Sequence, residues 1–127
     1  MIRVAIADDH PEVRVALRLL LSLSKEVQVV GEASNGEEAV NCAQRLQPDV
    51  LVMDIQMPVL DGFAATKQII DLSVPTRIIL ISSHTENFFA RQAAAIGARG
   101  FIPKEKVAKS LLAAIETVHE GELFFMD

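Results

Sequence analysis

The chain of 127 residues contains no tryptophan, no tyrosine and one cysteine, Cys42. A single cysteine excludes an intramolecular disulfide. Cys42 falls on the apolar stripe of an expected helix and reads as a core thiol. Without tryptophan, ligand binding has no intrinsic tryptophan signal to follow. No apolar run approaches the roughly 20 residues of a membrane-spanning helix. The N-terminus enters a strand-like run at once, with no basic region or cleavage pattern, so no signal peptide is expected. Lys and Arg number 12 against 17 Asp and Glu, giving a net charge of −5. No dense basic cluster occurs, so this domain alone is not expected to bind nucleic acid. Repeats and low-complexity stretches are also missing. The expectation is one cytoplasmic globular domain, with 50% hydrophobic and 23% charged residues, large enough for a substantial core.

What is present alternates. Five short runs rich in Val, Ile and Leu lie near 2–8, 27–33, 49–54, 77–82 and 98–102. They show little polar alternation, as expected of strands buried on both faces of a parallel sheet. Helical patterns lie between them. Pro11 opens the first, followed by the stripe Val13, Ala16, Leu17, Leu20 and Leu21. Asn35 with Glu38 reads as a capping pair for the second, and Pro48 stops it. The third lies near 62–71, the fourth near 86–96 with Gly97 as its cap, and the fifth near 106–119. Such alternation implies right-handed crossovers around a central parallel sheet. The fold class is therefore α/β, a three-layer (βα)5 sandwich. Five strands suit the flavodoxin-like order 2-1-3-4-5, a known doubly wound solution rather than one deduced from these residues.

That order makes strands 1 and 3 neighbours. Their carboxyl ends carry Asp8, Asp9 and Asp54; Ser82 and Lys104 follow strands 4 and 5 at the same edge. Clustered carboxylates repel one another unless a counter-charge is present. A hard divalent cation meets that need, and Mg²⁺ (or Mn²⁺) takes oxygen ligands. Asp9, Asp54 and the Gln56 backbone carbonyl are candidate metal ligands, with Asp8 acting through water. A carboxylate can also attack phosphorus. Asp54 is the candidate phosphoacceptor because it stands alone at the end of the middle strand, before the tight loop of Pro58 and Gly62. Lys104 and Ser82 would stabilise the phosphoryl oxygens. His10 reads as a helix cap or loop polar group.

These motifs together resemble the receiver domain of two-component response regulators. The resemblance rests on Ala7-Asp8-Asp9-His10-Pro11, Met53-Asp54-Ile55-Gln56-Met57-Pro58, Asp61-Gly62, Ser82 and Lys104, and it spans essentially the whole chain. Val30-Gly31-Glu32-Ala33 and Asn35-Gly36 resemble the NarL/FixJ branch, whose receivers precede a LuxR-type helix-turn-helix domain. The resemblance implies phosphoryl transfer to Asp54 from a histidine kinase or phosphotransfer protein, and homodimerisation on phosphorylation. It implies that Ser82 and Phe101 act as a switch, remodelling the face of helix 4, strand 5 and helix 5. It implies that Gln56 and His84 tune dephosphorylation. Beyond self-phosphotransfer and autodephosphorylation, no enzyme activity is expected. In one place the chain departs from the commonest pattern: Pro103 precedes Lys104 instead of following it, which leaves a cis peptide there in question. A stand-alone receiver acting through protein contacts is the alternative output. A haloacid-dehalogenase-type phosphatase is disfavoured, because Gln56 stands where that class has a second acid. A flavin site is disfavoured because Asp8 and Asp9 would repel the phosphate. Residues 1–121 are the expected receiver. Residues 122–127 are the expected start of a linker, although four consecutive apolar residues, Leu123 to Met126, would prefer to pack.

Overall fold

The computed structural model describes residues 1–84 and 86–126. Asp127, the last residue of the expected linker, lies outside them. Six strands and five α-helices alternate: β1 (Ile2–Ala7), α1 (Pro11–Leu21), β2 (Val27–Ala33), α2 (Gly36–Leu46), β3 (Val50–Asp54), α3 (Gly62–Asp71), β4 (Arg77–Ser82), α4 (Asn87–Ala95), β5 (Gly100–Pro103), α5 (Val107–His119) and β6 (Phe124–Phe125). A 3₁₀ turn over Lys104–Lys106 leads into α5. The strands form one sheet in the order β2-β1-β3-β4-β5-β6, with every pairing parallel.

Two apolar cores lie on the two faces. One contains Leu51, Met53, Ile69, Leu80 and Phe101 and is covered by α2, α3 and α4. The other contains Val4, Ile6, Val52, Ile79, Leu111 and Ile115 and is covered by α1 and α5. β3 is buried throughout, which explains its lack of polar alternation. Each fully buried Leu or Ile removed from water contributes about 1.5–3 kcal/mol.

Local signals set most boundaries. Asn35 accepts a 2.8 Å hydrogen bond from the Glu38 N–H, capping α2. The reciprocal half of the expected capping pair does not form. The Glu38 carboxylate accepts instead from the Ser34 N–H and hydroxyl, at 2.9 and 2.8 Å, because Ser34 supplies two donors at one point. Gly97, at φ +99°, ends α4 as expected, with the Ala98 N–H on the Ala93 carbonyl. Among the described residues no peptide bond is cis, so Pro103 and Lys104 follow a trans route into the 3₁₀ turn. The sixth strand is the main departure from the expected topology. Residues 124–125, within the expected start of a linker, extend the sheet beyond β5.

Candidate functional site

The carboxyl ends of β1 and β3 lie side by side, with Ala7 paired to Met53. Asp8 and Asp54 are both buried. The Asp8 carboxylate accepts from the His10 N–H at 2.8 Å, and the Arg14 guanidinium donates to the Asp8 carbonyl at 2.6 Å. Arg14 and Arg18 in turn pair with Glu32, so α1 and β2 brace the β1 end. At β3, the Gln56 N–H donates to Asp54 Oδ1 at 3.1 Å. Asp61 caps α3 by accepting from the Ala64 N–H. Gly62 is required next to it: a Cβ there would stand 2.5 Å from the Asp54 carbonyl oxygen. The start of α3 therefore presses on the backbone that carries Asp54.

The electrostatics follow from this crowding. Burial pushes the Asp54 carboxyl up to about 6; the Gln56 N–H opposes the shift, the Asp8 charge adds to it and Lys104 counters it. Lys104 is exposed and acts on Asp54 across a gap, since no salt bridge joins them. Asp9 Oδ1 is shielded from solvent yet takes part in no hydrogen bond among the described residues. Ligand atoms of Asp8, Asp9 and His10 lie within 4.8 Å of one another. Asp54 stands outside that group, coupled to Asp8. Buried Asp8 and Asp54, with half-buried Asp9 offering an oxygen that makes no hydrogen bond, fit a hard divalent cation bound through oxygen.

His10 corrects its sequence reading. It occupies the N-cap position of α1, but its side chain makes no capping bond. Its Nδ1 lies 3.2 Å from Asp8 Oδ1 and 3.1 Å from Asp9 Oδ1 instead. The acids draw the imidazole toward them, and adjacency in sequence was the signal for it.

Ser82 is buried at the end of β4, where its Oγ accepts from the His84 N–H at 2.9 Å. The Gln56 amide nitrogen lies 2.6 Å from His84 Nε2. An amide nitrogen donates, so in this contact His84 Nε2 takes the acceptor's place. Phe89 stacks on His84 at 4.7 Å and 13°, and Phe63 lies 6.2 Å beyond it. This aromatic wall flanks an open cleft of about 600 Å³ that reaches Asp9 and Gln56. Sequence reasoning had not paired Phe89, in the first turn of α4, with His84, which precedes that helix. Phe101 is buried, with Leu80 as its β4 partner.

A family model described as the response regulator receiver domain matches residues 4–116. The chain belongs to that family. Response regulator UvrY of Escherichia coli K12 is 36% identical over 124 residues, covering 98% of this chain and 57% of UvrY. Transcriptional regulatory protein LnrK of Bacillus subtilis is 36% identical over 121 residues, covering 95% of this chain and 55% of LnrK. The solved receiver domain of NarL from Mycobacterium tuberculosis superposes with a TM-score of 0.91 at 36% identity, covering 95% of this chain and 98% of that one. These relatives support the NarL/FixJ branch for this receiver. The chain spans little more than half the length of the curated relatives it matches.

Proposed function

We propose that this receiver takes a phosphoryl group on Asp54 from a histidine kinase or phosphotransfer protein. The observation that carries the reading is the buried Asp54 carboxylate, crowded by Asp8 and raised to about 6, with an Asp9 oxygen next in the chain to Asp8 that makes no hydrogen bond. An Asp54 oxygen attacks phosphorus as the bond to the donor's imidazole nitrogen breaks, and the electron pair leaves with the imidazole. Asp9, Asp54 and the Gln56 carbonyl would hold Mg²⁺ or Mn²⁺, with Asp8 binding through water. The bound cation offsets charge on the phosphoryl oxygens. Lys104 draws toward the same oxygens once the charge beside it grows by nearly two units. Ser82 exchanges its bond to the His84 N–H for one to a phosphoryl oxygen. Gln56 and His84, already in contact, govern the approach of water and hence the phosphoryl lifetime.

The Ser82 exchange and a movement of Phe101 would remodel the α4–β5–α5 face and promote homodimerisation. Turning a mostly-off equilibrium mostly on requires about 5.5 kcal/mol. A few charge-assisted hydrogen bonds of roughly 1.5–3 kcal/mol each supply that. The output we infer is cytoplasmic transcriptional control through a LuxR-type DNA-binding domain outside this chain. That is in keeping with LnrK, which is named a transcriptional regulator. Among the described residues no helix is long and apolar enough to cross a membrane.

Acetyl phosphate with Mg²⁺ should add one phosphate, read by intact mass. Incorporation that persists in Asp54→Asn would assign the phosphoacceptor elsewhere.

A further inference from the structure

The last strand of a five-stranded doubly wound sheet is an edge with unpaired backbone groups. Here residues that follow α5 close that edge. Gly121, at φ +97°, turns the chain, with its N–H on the Val118 carbonyl and the Glu122 N–H on the Thr117 carbonyl. The chain then runs parallel to β5. The Phe124 N–H donates to the Arg99 carbonyl at 3.0 Å, and the Met126 N–H to the Phe101 carbonyl at 2.9 Å. Phe125 packs on the α4 side against the core that contains Phe101, while Phe124 and Met126 pack on the α5 side. Gly100 leaves room for the strand, since a Cβ there would lie 3.2 Å from the Phe124 carbonyl oxygen.

A parallel backbone ladder only two residue pairs long, together with three half-buried side chains, holds this segment. Docking is therefore a fine balance, sensitive to the shape of β5. The register links that shape to the phosphoacceptor end of the sheet. Phe125 pairs with Phe101, Phe101 pairs with Leu80, and Ser82 follows Leu80 by two residues on the same face. A displaced Phe101 ring removes the surface that Phe125 covers, and a shifted Phe101 carbonyl breaks the bond from Met126.

We propose that the β5 edge is a strand-docking site whose resident ligand is the chain's own segment Phe124–Met126, released when Asp54 is phosphorylated. This rests on the phosphoacceptor reading above. Release bares the α4–β5–α5 edge and frees the chain beyond α5 in one step. Linkage is reciprocal: if phosphorylation weakens docking, then undocking strengthens binding of a phosphoryl mimic by the same factor.

The test follows amide hydrogen exchange of Phe124 and Met126 by NMR in the full chain, with Mg²⁺ alone and then with acetyl phosphate, while intact mass reports phosphate. Exchange at both amides should rise at least about tenfold, an effect within the usual range of allosteric coupling. In parallel, Met126→Pro removes the donor to Phe101 and should tighten beryllofluoride binding at least about fivefold. Phosphate present with unchanged protection of both amides would overturn the latch and leave the phosphoacceptor standing. Unchanged beryllofluoride affinity in Met126→Pro would overturn it too. No phosphate on Asp54 would overturn both.

Discussion

The two ends of this sheet's chemistry differ in how they are held. At the β1 and β3 ends, Asp8 and Asp54 are held firmly: Gly62 packs on the Asp54 backbone, the Arg14 guanidinium pins the Asp8 carbonyl, and both acids are buried. At the β5 edge, β6 hangs on a ladder of two residue pairs and three half-buried side chains. The first region resists change and stores electrostatic tension. The second has little tension and little holding it. A switch needs both kinds of region: a rigid place where charge is altered, and a weakly held place where that alteration becomes movement.

The largest expected effect separates them chemically. Asp54→Asn should abolish phosphate incorporation, while Phe125→Ala should incorporate one phosphate like the parent chain, both read by intact mass. Loss of labelling in Phe125→Ala would show that the regions are not separable. Next, Phe101→Ala should cost about 3–5 kcal/mol in denaturant unfolding, as for other buried Phe truncations. Phe125, only half-buried, should cost no more than about 1–1.5 kcal/mol on truncation, since it covers the core from outside. Equal losses would mean that β6 is as integral as β5.

pH dependence sharpens the electrostatic half. The Asp54 carboxyl, raised from 3.8 to about 6, binds its proton more tightly in the folded state. Its contribution to stability is full below pH 3.8 and is lost as pH rises through 6. The loss is at most about 3 kcal/mol for a shift of this size. Metal-free Asp54→Asn should therefore be the more stable protein at pH 8, with the difference shrinking toward pH 4 in urea titrations. A parent chain that is not destabilised relative to Asp54→Asn at pH 8 would mean that the acids are not crowded. Millimolar Mg²⁺ should raise the parent's thermal midpoint at pH 8 and leave Asp9→Asn nearly unmoved; tenfold saturation corresponds to roughly 1.4 kcal/mol. The smallest effect lies far from either region. Asn35→Ala should cost about 1 kcal/mol through loss of the α2 cap, with no change in phosphate uptake.

Much of the fold was legible because its signals are local. Gly62 to Asp71 was read as a helix from its apolar period and its glycine, and those are its bounds. Strands β2 and β4 began and ended where their Val, Ile and Leu runs did. The approach of Asp8 to Asp54 was legible too, once strand order made β1 and β3 neighbours. Other features depended on contacts between distant residues. Glu38 turned to Ser34 because two donors there outcompeted one, a choice that spacing does not reveal. His10 folded onto the acids instead of capping its helix. His84, just past the end of β4, met Gln56 from beyond β3 and Phe89 from α4.

The amino-acid sequence by itself determined the alternation of strands and helices, the parallel sheet, and the acids and lysine at one edge. Period, caps and strand-end residues act over a few positions, so the chain carries them in plain order. The tertiary structure alone decided that Asp54 is pushed up to about 6, that a shielded Asp9 oxygen makes no hydrogen bond, and that Phe124 and Phe125 add a sixth strand. Each of these depends on what is packed beside the residue, and burial is a property of neighbours brought together by folding.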